Sequence, residues 1–240
     1  MTGRPTIGLL YPGNSAEDDY PALEQRLDGA IRLPLVHTSV GEDAHRVDAL
    51  LDLGSAARLA EGARALVDHR PDAVMWACTS GSFVFGWDGA REQVDGVAAE
   101  LGVPVSSTSI AFVDAIRHLG LSRVAVAASY PKDVATHFVD FIGKGGADVL
   151  TMRSNDIVTA AEVGTLGKDA VISMIEAADV PDAEAVLVPD TAMHSLAWLD
   201  DLERAAGKIV LTANQVTVWK GLDLIADVPH FDGLGTLFRR

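Results

Sequence analysis

The feature of this sequence that most constrains its fold is a regular alternation of short apolar segments with longer amphipathic ones. Eight segments of four to seven residues are mostly apolar and often β-branched. Such segments are typical of strands that are buried on both faces of a parallel sheet. The predicted strands are Ile7–Tyr11, Ile31–His37, Ala73–Ala77, Val103–Ser106, Val124–Ala128, Ala147–Met152, Ala185–Val188 and Ile209–Thr212.

Stretches with the apolar spacing of a helix separate these strands. One continues from Val47 to Leu66, a second runs from Val134 to Ile142, and a third covers Val171–Ile175. Alternating strands and helices predict an α/β fold with a mainly parallel sheet, because parallel neighbours need a crossover connection.

The strand ends also repeat along the chain in the same order. The similar pairs are Ile7–Pro12 with Val124–Pro131, Asp72–Thr79 with Ala183–Thr191, and Pro104–Ser109 with Ile209–Asn214. The alternative is that any α/β chain shows apolar strands at comparable spacing. Polar positions match as well, which favours two related half-domains.

The repeat predicts two pseudo-symmetric α/β lobes, each with a mainly parallel sheet flanked by helices. Residues 1–108 and 213–240 would form the first lobe, and residues 109–212 the second. Two such lobes would place their strand ends face to face across a cleft, where α/β proteins bind ligands. We therefore expect the active site in this cleft.

The charge of the chain limits its partners. Lys and Arg number 19 against 34 Asp and Glu, a formal net charge of −15 over 240 residues. Because phosphate binding needs a basic surface, we expect no nucleic-acid partner, and docking on an anionic membrane is disfavoured too. The sequence shows neither the apolar segment of a signal peptide nor a run of membrane-spanning length, so we expect a cytoplasmic protein.

Residue patterns for common cofactors are missing as well. The single cysteine, Cys78, cannot form an intramolecular disulfide or a cysteine-based zinc site. The seven histidines do not pair four residues apart, and the glycine-rich motifs that bind nucleotide phosphates are absent. The sequence therefore predicts no metal and no cofactor.

The strongest candidate for chemistry is the segment Cys78–Ser82, which reads Cys-Thr-Ser-Gly-Ser and follows a predicted strand. Backbone N–H groups at such a turn favour an anion, and the hydroxyls of Thr79 and Ser80 add donors. A thiol in this setting is expected to have a stabilised thiolate, which makes it a nucleophile or a base. The alternative is a buried, inert cysteine beside a turn.

The repeat places Asp190 where a partner for Cys78 would stand. Its carboxyl group could serve as a general acid or base, or contact a polar substrate. Equally, Asp190 could be the N-cap of a helix that continues through Leu196 and Leu199.

Four other residues are weaker candidates for the site. Pro12 and Asn14 follow the first strand, where an Asn amide can donate to a carboxylate but Pro-Gly-Asn is also ordinary turn chemistry. Tyr130 ends the matching strand, where its hydroxyl can bind a carboxylate or its ring can cover the next helix. His194 would lie nearly one turn into the helix after Asp190, where a histidine is more often a surface or packing residue.

Together these segments resemble the aspartate/glutamate racemase superfamily, in particular the branch of maleate cis-trans isomerases and arylmalonate decarboxylases. The resemblance covers nearly the whole chain. Its motifs are Pro12–Asn14, Cys78–Gly81, Gly102–Ala111, Arg123–Pro131 and Thr212–Trp219. The resemblance implies two pseudo-symmetric α/β lobes with the active site between them.

The resemblance also implies cofactor-free chemistry next to the carboxylate of a small acid. Cys78 matches the first-lobe cysteine of the family. Thr79 and Ser80 match donors that hold a substrate carboxylate, and Asn14 and Tyr130 match further carboxylate contacts. The family often forms dimers, so a homodimer is a possible assembly.

The second-lobe cysteine of the family falls on Asp190, and Thr191 matches the threonine that commonly follows it. This difference argues against a symmetric two-thiol racemase and leaves three enzymes open. The first is a cis-trans isomerase in which the Cys78 thiolate adds to a conjugated acid and leaves after bond rotation. The second is a racemase or epimerase with an unequal acid/base pair.

The third is a decarboxylase whose thiol protonates an enediolate, although the known decarboxylases of the branch carry their cysteine in the other lobe. A non-catalytic carboxylate-binding protein is the alternative outside the enzymes. An ionised Asp190 would repel a second carboxylate on the substrate. We therefore expect either a protonated Asp190 or a substrate with a neutral or cationic group on that side.

Overall fold

The computed structural model describes residues 3–13, 15–226 and 228–239, which form two four-stranded parallel sheets. The strands of the first sheet are β1 (Ile7–Pro12), β2 (Leu35–Thr38), β3 (Ala73–Trp76) and β4 (Val105–Ser107). Those of the second are β5 (Arg123–Ala128), β6 (Asp148–Ser154), β7 (Ala185–Val188) and β8 (Ile209–Thr212). All eight predicted strands are confirmed.

The two sheets have the same strand order, β2-β1-β3-β4 in the first and β6-β5-β7-β8 in the second. This correspondence confirms the two pseudo-symmetric lobes. The largest difference from the predicted strands is in β2, which begins at Leu35 rather than Ile31. Pro34 interrupts the ladder there because proline has no N–H to donate.

Eleven α-helices lie among the described residues: α1 (Asp19–Arg26), α2 (Val47–Leu53), α3 (Ala56–Leu66), α4 (Ser80–Phe83), α5 (Gly86–Leu101), α6 (Thr108–His118), α7 (Lys132–Lys144), α8 (Ala160–Val163), α9 (Lys168–Ala178), α10 (Leu199–Ala206) and α11 (Ala213–Asp223). The predicted helical stretches in α7 and α9 are confirmed. No helix within the described ranges combines the length and hydropathy that crossing a bilayer requires.

The prediction of one continuous helix from Val47 to Leu66 is wrong. The structure has two helices with a break at Gly54 and Ser55, where the backbone of Ser55 is extended. A Cβ on Gly54 would collide with the carbonyl oxygen of Gly81, so the close approach of this break to the Cys78 turn requires a glycine.

Helices α6 and α11 pack against each other at the junction of the lobes. The hydroxyls of Thr108 and Thr217 lie 2.7 Å apart across this contact, and both side chains are fully buried. α11 also contacts β3 of the first sheet and β8 of the second. The predicted lobe boundaries fall where these two helices begin, and the boundaries themselves stay a prediction.

Candidate active site

A cavity of about 460 Å³ opens at the carboxyl ends of the strands, and residues of both lobes line it. Parallel strands bring their carboxyl ends to one edge of each sheet, which is why the turns after β1, β3 and β7 meet here. Five of the predicted site residues line the cavity: Pro12, Cys78, Ser80, Asp190 and Thr191. Asn14, also predicted, lies outside the described residues.

Cys78 stands two residues after β3 and is almost completely buried. Its Sγ atom accepts the Gly81 N–H at 3.3 Å and lies 4.0 Å from the Ser80 hydroxyl. Burial raises the pKa of the thiol to about 12, although these two neighbours lower it. The expected donors are therefore present, and they lower the pKa of the thiol less than burial raises it.

Asp190 occupies the corresponding place after β7 and is also buried. One carboxyl oxygen accepts a short hydrogen bond from the Ser129 hydroxyl, and the other accepts the Ala192 N–H at 2.9 Å. Burial raises the pKa of this carboxyl above its ordinary value, against the lowering by His45 and by these two hydrogen bonds. Asp190 therefore holds its proton to higher pH than an exposed aspartate does.

No helix starts at Asp190, so its interpretation as a helix N-cap is wrong. The chain forms turns through Trp198, and α10 begins at Leu199. The carboxylate of Asp19 explains the interruption, because its Oδ2 atom accepts the N–H groups of Ser195 at 2.8 Å and Leu196 at 3.1 Å. The Asp190 carboxyl remains available to the cavity.

A family model described as arylmalonate decarboxylase matches residues 53–238 of the chain. The chain is 27% identical to the maleate isomerase of Nocardia farcinica, over 98% of this chain and 95% of the relative. It is 30% identical to the maleate isomerase of Geobacillus stearothermophilus, over 70% of this chain and 71% of that one. The chain belongs to the arylmalonate decarboxylase family.

A solved structure shows the same fold. It is a cysteine-to-serine variant of the Nocardia farcinica maleate cis-trans isomerase with a covalently bound succinylcysteine intermediate, and it has a TM-score of 0.89 at 23% identity, with 99% of each chain covered. The relatives confirm the predicted branch. An isomerase is the activity that these relatives support best, and the decarboxylases are close relatives.

Within this member of the arylmalonate decarboxylase family, two predicted carboxylate contacts lie behind the cavity wall. Tyr130 is fully buried and its hydroxyl donates a short hydrogen bond to the Pro189 carbonyl. Burial and the charges of Asp190 and Cys78 hold the pKa of Tyr130 well above its ordinary value. Thr79 is buried as well, and its hydroxyl has no hydrogen-bond partner in the described part of the chain.

His194 does not line the cavity. Its Nε2 atom lies 2.7 Å from the Asp18 carboxylate, in an ion pair whose aspartate is 76% exposed. Because the expected helix is absent, the His194 side chain lies on the side of the turn away from the cavity. Its assignment to the site has no support from this position.

The sequence patterns did not single out Tyr11 and His45, which also line the cavity. The Tyr11 hydroxyl donates to the Thr191 carbonyl at 3.0 Å and accepts the Ala16 N–H at 3.1 Å, so it joins the turns of the two lobes. His45 comes from the segment after β2. The position of β2 could have indicated His45, because its carboxyl end lies at the same edge of the sheet as those of β1 and β3.

Proposed function

We propose that the protein is a cofactor-independent isomerase of a small unsaturated carboxylic acid, with Cys78 as nucleophile and Asp190 as acid/base. The observation that carries the proposal is the arrangement of the thiol and the carboxyl. They project into one cavity from equivalent turns of the two lobes. A substrate held between them would have a sulfur and a proton-transfer group at the same pair of carbons.

The first half of the reaction adds the thiol across the carbon–carbon double bond. The Asp190 carboxylate takes the Cys78 proton, and the thiolate forms a C–S bond at the carbon β to the substrate carboxylate. The electron pair of the double bond moves toward that carboxylate, and Asp190 returns the proton to the α-carbon. The raised pKa of Asp190 makes its carboxylate a stronger base for the first transfer.

The second half of the reaction reverses these steps after rotation about the new single bond. Asp190 removes the α-proton, the C–S bond breaks, and the double bond forms again in the other geometry. The thiolate recovers its proton, so no proton, electron or cofactor is consumed. Once it has taken the Cys78 proton, Asp190 is neutral and does not repel a second carboxylate, so a cis-unsaturated diacid such as maleate, on which the named relatives act, is the first class to test.

Substrate contacts follow from the lining of the cavity. Ser80 and Thr191 bring a hydroxyl group from each lobe, and Pro12 closes the side nearest β1. We propose Ser80 and Thr191 as carboxylate donors, with Tyr130 holding the Pro189 carbonyl behind them. The role of Thr79 stays a prediction. The contribution of Asn14 stays a prediction.

The proposal is tested by incubating the protein in deuterated water with maleate, other unsaturated acids, α-substituted acids and disubstituted malonates. Proton NMR would show cis-trans conversion, and mass spectrometry of the quenched enzyme would show a substrate adduct on Cys78. Full activity in Cys78→Ala would contradict the mechanism. Tight binding without turnover of any acid would instead support a non-catalytic carboxylate binder.

A decarboxylase is the second candidate, and the thiol itself favours it. With a pKa of about 12, Cys78 stays protonated at neutral pH, as a group that protonates an enediolate must. Release of carbon dioxide from a disubstituted malonate, with deuterium incorporated on one face only, would establish this activity. A cytoplasmic location and a homodimer also stay predictions, and light scattering during size-exclusion chromatography would test the dimer.

A further inference from the structure

His45 is a buried residue in a segment that is otherwise turned toward solvent. Its neighbours Glu42 and Asp43 also line the cavity but, like Arg46, are exposed, whereas His45 is only 7% exposed. An imidazole directed into a reaction cavity is a candidate for proton transfer or charge control, because its ordinary pKa lies near neutrality.

Contacts with the second lobe fix the orientation of the ring. The backbone N–H of His45 donates to the Val158 carbonyl at 2.8 Å. In the ring, Nδ1 lies 2.9 Å from the Ile157 carbonyl oxygen. Because a carbonyl oxygen only accepts, Nδ1 must carry the hydrogen in both the neutral and the charged ring. Nε2 is therefore the atom that titrates, and the described residues give it no hydrogen-bond partner.

Tyr130 connects this ring to Asp190. The rings of His45 and Tyr130 meet edge to face with centroids 4.8 Å apart. The Tyr130 hydroxyl in turn donates to the carbonyl of Pro189, the residue before Asp190. The His45 ring and the Asp190 carboxyl thus line one cavity, held on either side of a single buried tyrosine.

We propose that His45 is a positioning residue that sets the ionisation state of Asp190, and so decides whether the carboxyl can act as base. This inference rests on the proposed function. When Nε2 is protonated, the imidazolium stabilises the Asp190 carboxylate across the cavity. When the ring is neutral, Asp190 retains its proton to higher pH. Consistent with this, the charge of His45 is the largest influence that lowers the pKa of Asp190.

Other charged groups around the pair affect the pKa of Asp190 less than His45 does. Asp43 raises the pKa of Asp190, but two backbone N–H groups at the start of α8 already bind its carboxylate. Glu42 is bound by Arg46 at the surface. From the remaining turns the pair faces Cys78, Tyr11 and Tyr130, whose raised pKa values keep them neutral at pH 7. His37 also lines the cavity, and its Nε2 atom lies 3.8 Å from the Glu17 carboxylate.

The coupling can be measured without any turnover. Titration of the ¹⁵N-labelled protein by NMR gives the pKa and tautomer of each histidine, and the neutral His45 ring is expected to carry its hydrogen on Nδ1. Linkage requires the two sites to influence each other equally. Asp190→Asn should therefore move the NMR titration of His45 to lower pH, the direction expected for the loss of a nearby carboxylate.

The controls lie in the same spectrum and in one matched variant. His194 and His230, which pair with other aspartates, should titrate unchanged in Asp190→Asn. Glu42→Gln, which removes a cavity-lining acid already bound by Arg46, should leave His45 nearly unchanged. An unaltered His45 titration in Asp190→Asn would overturn the inference, whether or not the enzyme turns over any acid.

The activity measurement then addresses the role in the reaction. His45→Gln keeps a polar side chain but cannot become charged, so Asp190 should hold its proton to higher pH. The rising limb of kcat/KM against pH should move up by about one unit, with activity recovering in alkaline buffer. Uniform loss at every pH would contradict charge control. Absence of turnover in the wild type would reject the proposed function while leaving the NMR result intact.

Discussion

The Cys78 turn and the Asp190 turn are built on equivalent strands, yet they hold their acids in different ways. The carboxyl of Asp190 is bound on both oxygens, by Ser129 and by the Ala192 N–H. The Cys78 sulfur has one backbone donor at 3.3 Å and a hydroxyl 4.0 Å away. The more weakly bound sulfur is the group freer to form a bond with carbon, and the carboxyl held on both oxygens is better placed to exchange protons.

The largest expected effect comes from removing the sulfur. Cys78→Ser keeps the size and the Gly81 contact but supplies a hydroxyl that does not ionise near neutrality, so we expect kcat/KM to fall by at least about 10³-fold. Thermal unfolding should change little, because serine fits the same place. A variant that keeps most of its activity would mean that the thiol is only a packing residue.

Asp190→Asn is expected to reduce kcat by roughly 10² to 10⁴-fold, the range for a general acid/base. The amide also cannot accept from both Ser129 and Ala192, so some stability should be lost. Asp190→Cys would place a thiol in each lobe and should recover part of the activity that Asn loses. Steady-state kinetics of both variants decide the point, and equal activity of wild type and Asn would remove Asp190 from the mechanism.

Ser129→Ala should shift a pH profile more than it lowers a maximal rate. The hydroxyl stabilises the ionised carboxyl, so its loss raises the pKa of Asp190 further and keeps the proton on to higher pH. Since the carboxylate takes the thiol proton, the rising limb should move to higher pH by about one unit. The matched control is Ser109→Ala, whose buried hydroxyl donates to the Thr79 carbonyl instead, and which should move no pH limb.

Replacing Gln93, which lies behind the Cys78 turn, should have a smaller effect, mainly on stability. The Gln93 amide donates to the carbonyls of Gly54 at 2.7 Å and Gly81 at 2.9 Å. Gln93→Leu leaves both acceptors without this donor and should lower the free energy of unfolding by about 1 to 3 kcal/mol. Chemical denaturation measures the loss, and Gln93→Glu tests whether the donor rather than the side-chain volume matters.

Local sequence was sufficient for the strands and for the place of both acids. Buried β-branched runs define Ala185–Val188 and Ile209–Thr212, and the repeat places Cys78 and Asp190 on matching turns. Those inferences need only periodicity and order along the chain, which one sequence contains. Their catalytic roles stay predictions until the variants are measured.

Tertiary contacts determined what the sequence could not predict. The break at Gly54 depends on the Gly81 carbonyl, and the missing helix after Asp190 depends on the Asp19 carboxylate. His45 faces the cavity because backbone carbonyls of the second lobe hold it. One of them belongs to Ile157, which lies 112 residues further along the sequence. No local pattern contains such partners.

Replacing His194 in the Asp190 turn should have the smallest effect on activity. It belongs to the Asp190 turn in sequence, but its ring pairs with the exposed Asp18 and does not line the cavity. An exposed ion pair contributes at most about 1 kcal/mol, so His194→Gln should change kcat/KM by less than about twofold and stability only slightly. Asp18→Asn, which breaks the same pair from its other side, should behave identically. A tenfold loss of activity in His194→Gln alone would show that residues of this turn after Thr191 also contact the substrate. The acid/base role would then have to be divided between two residues of the second lobe.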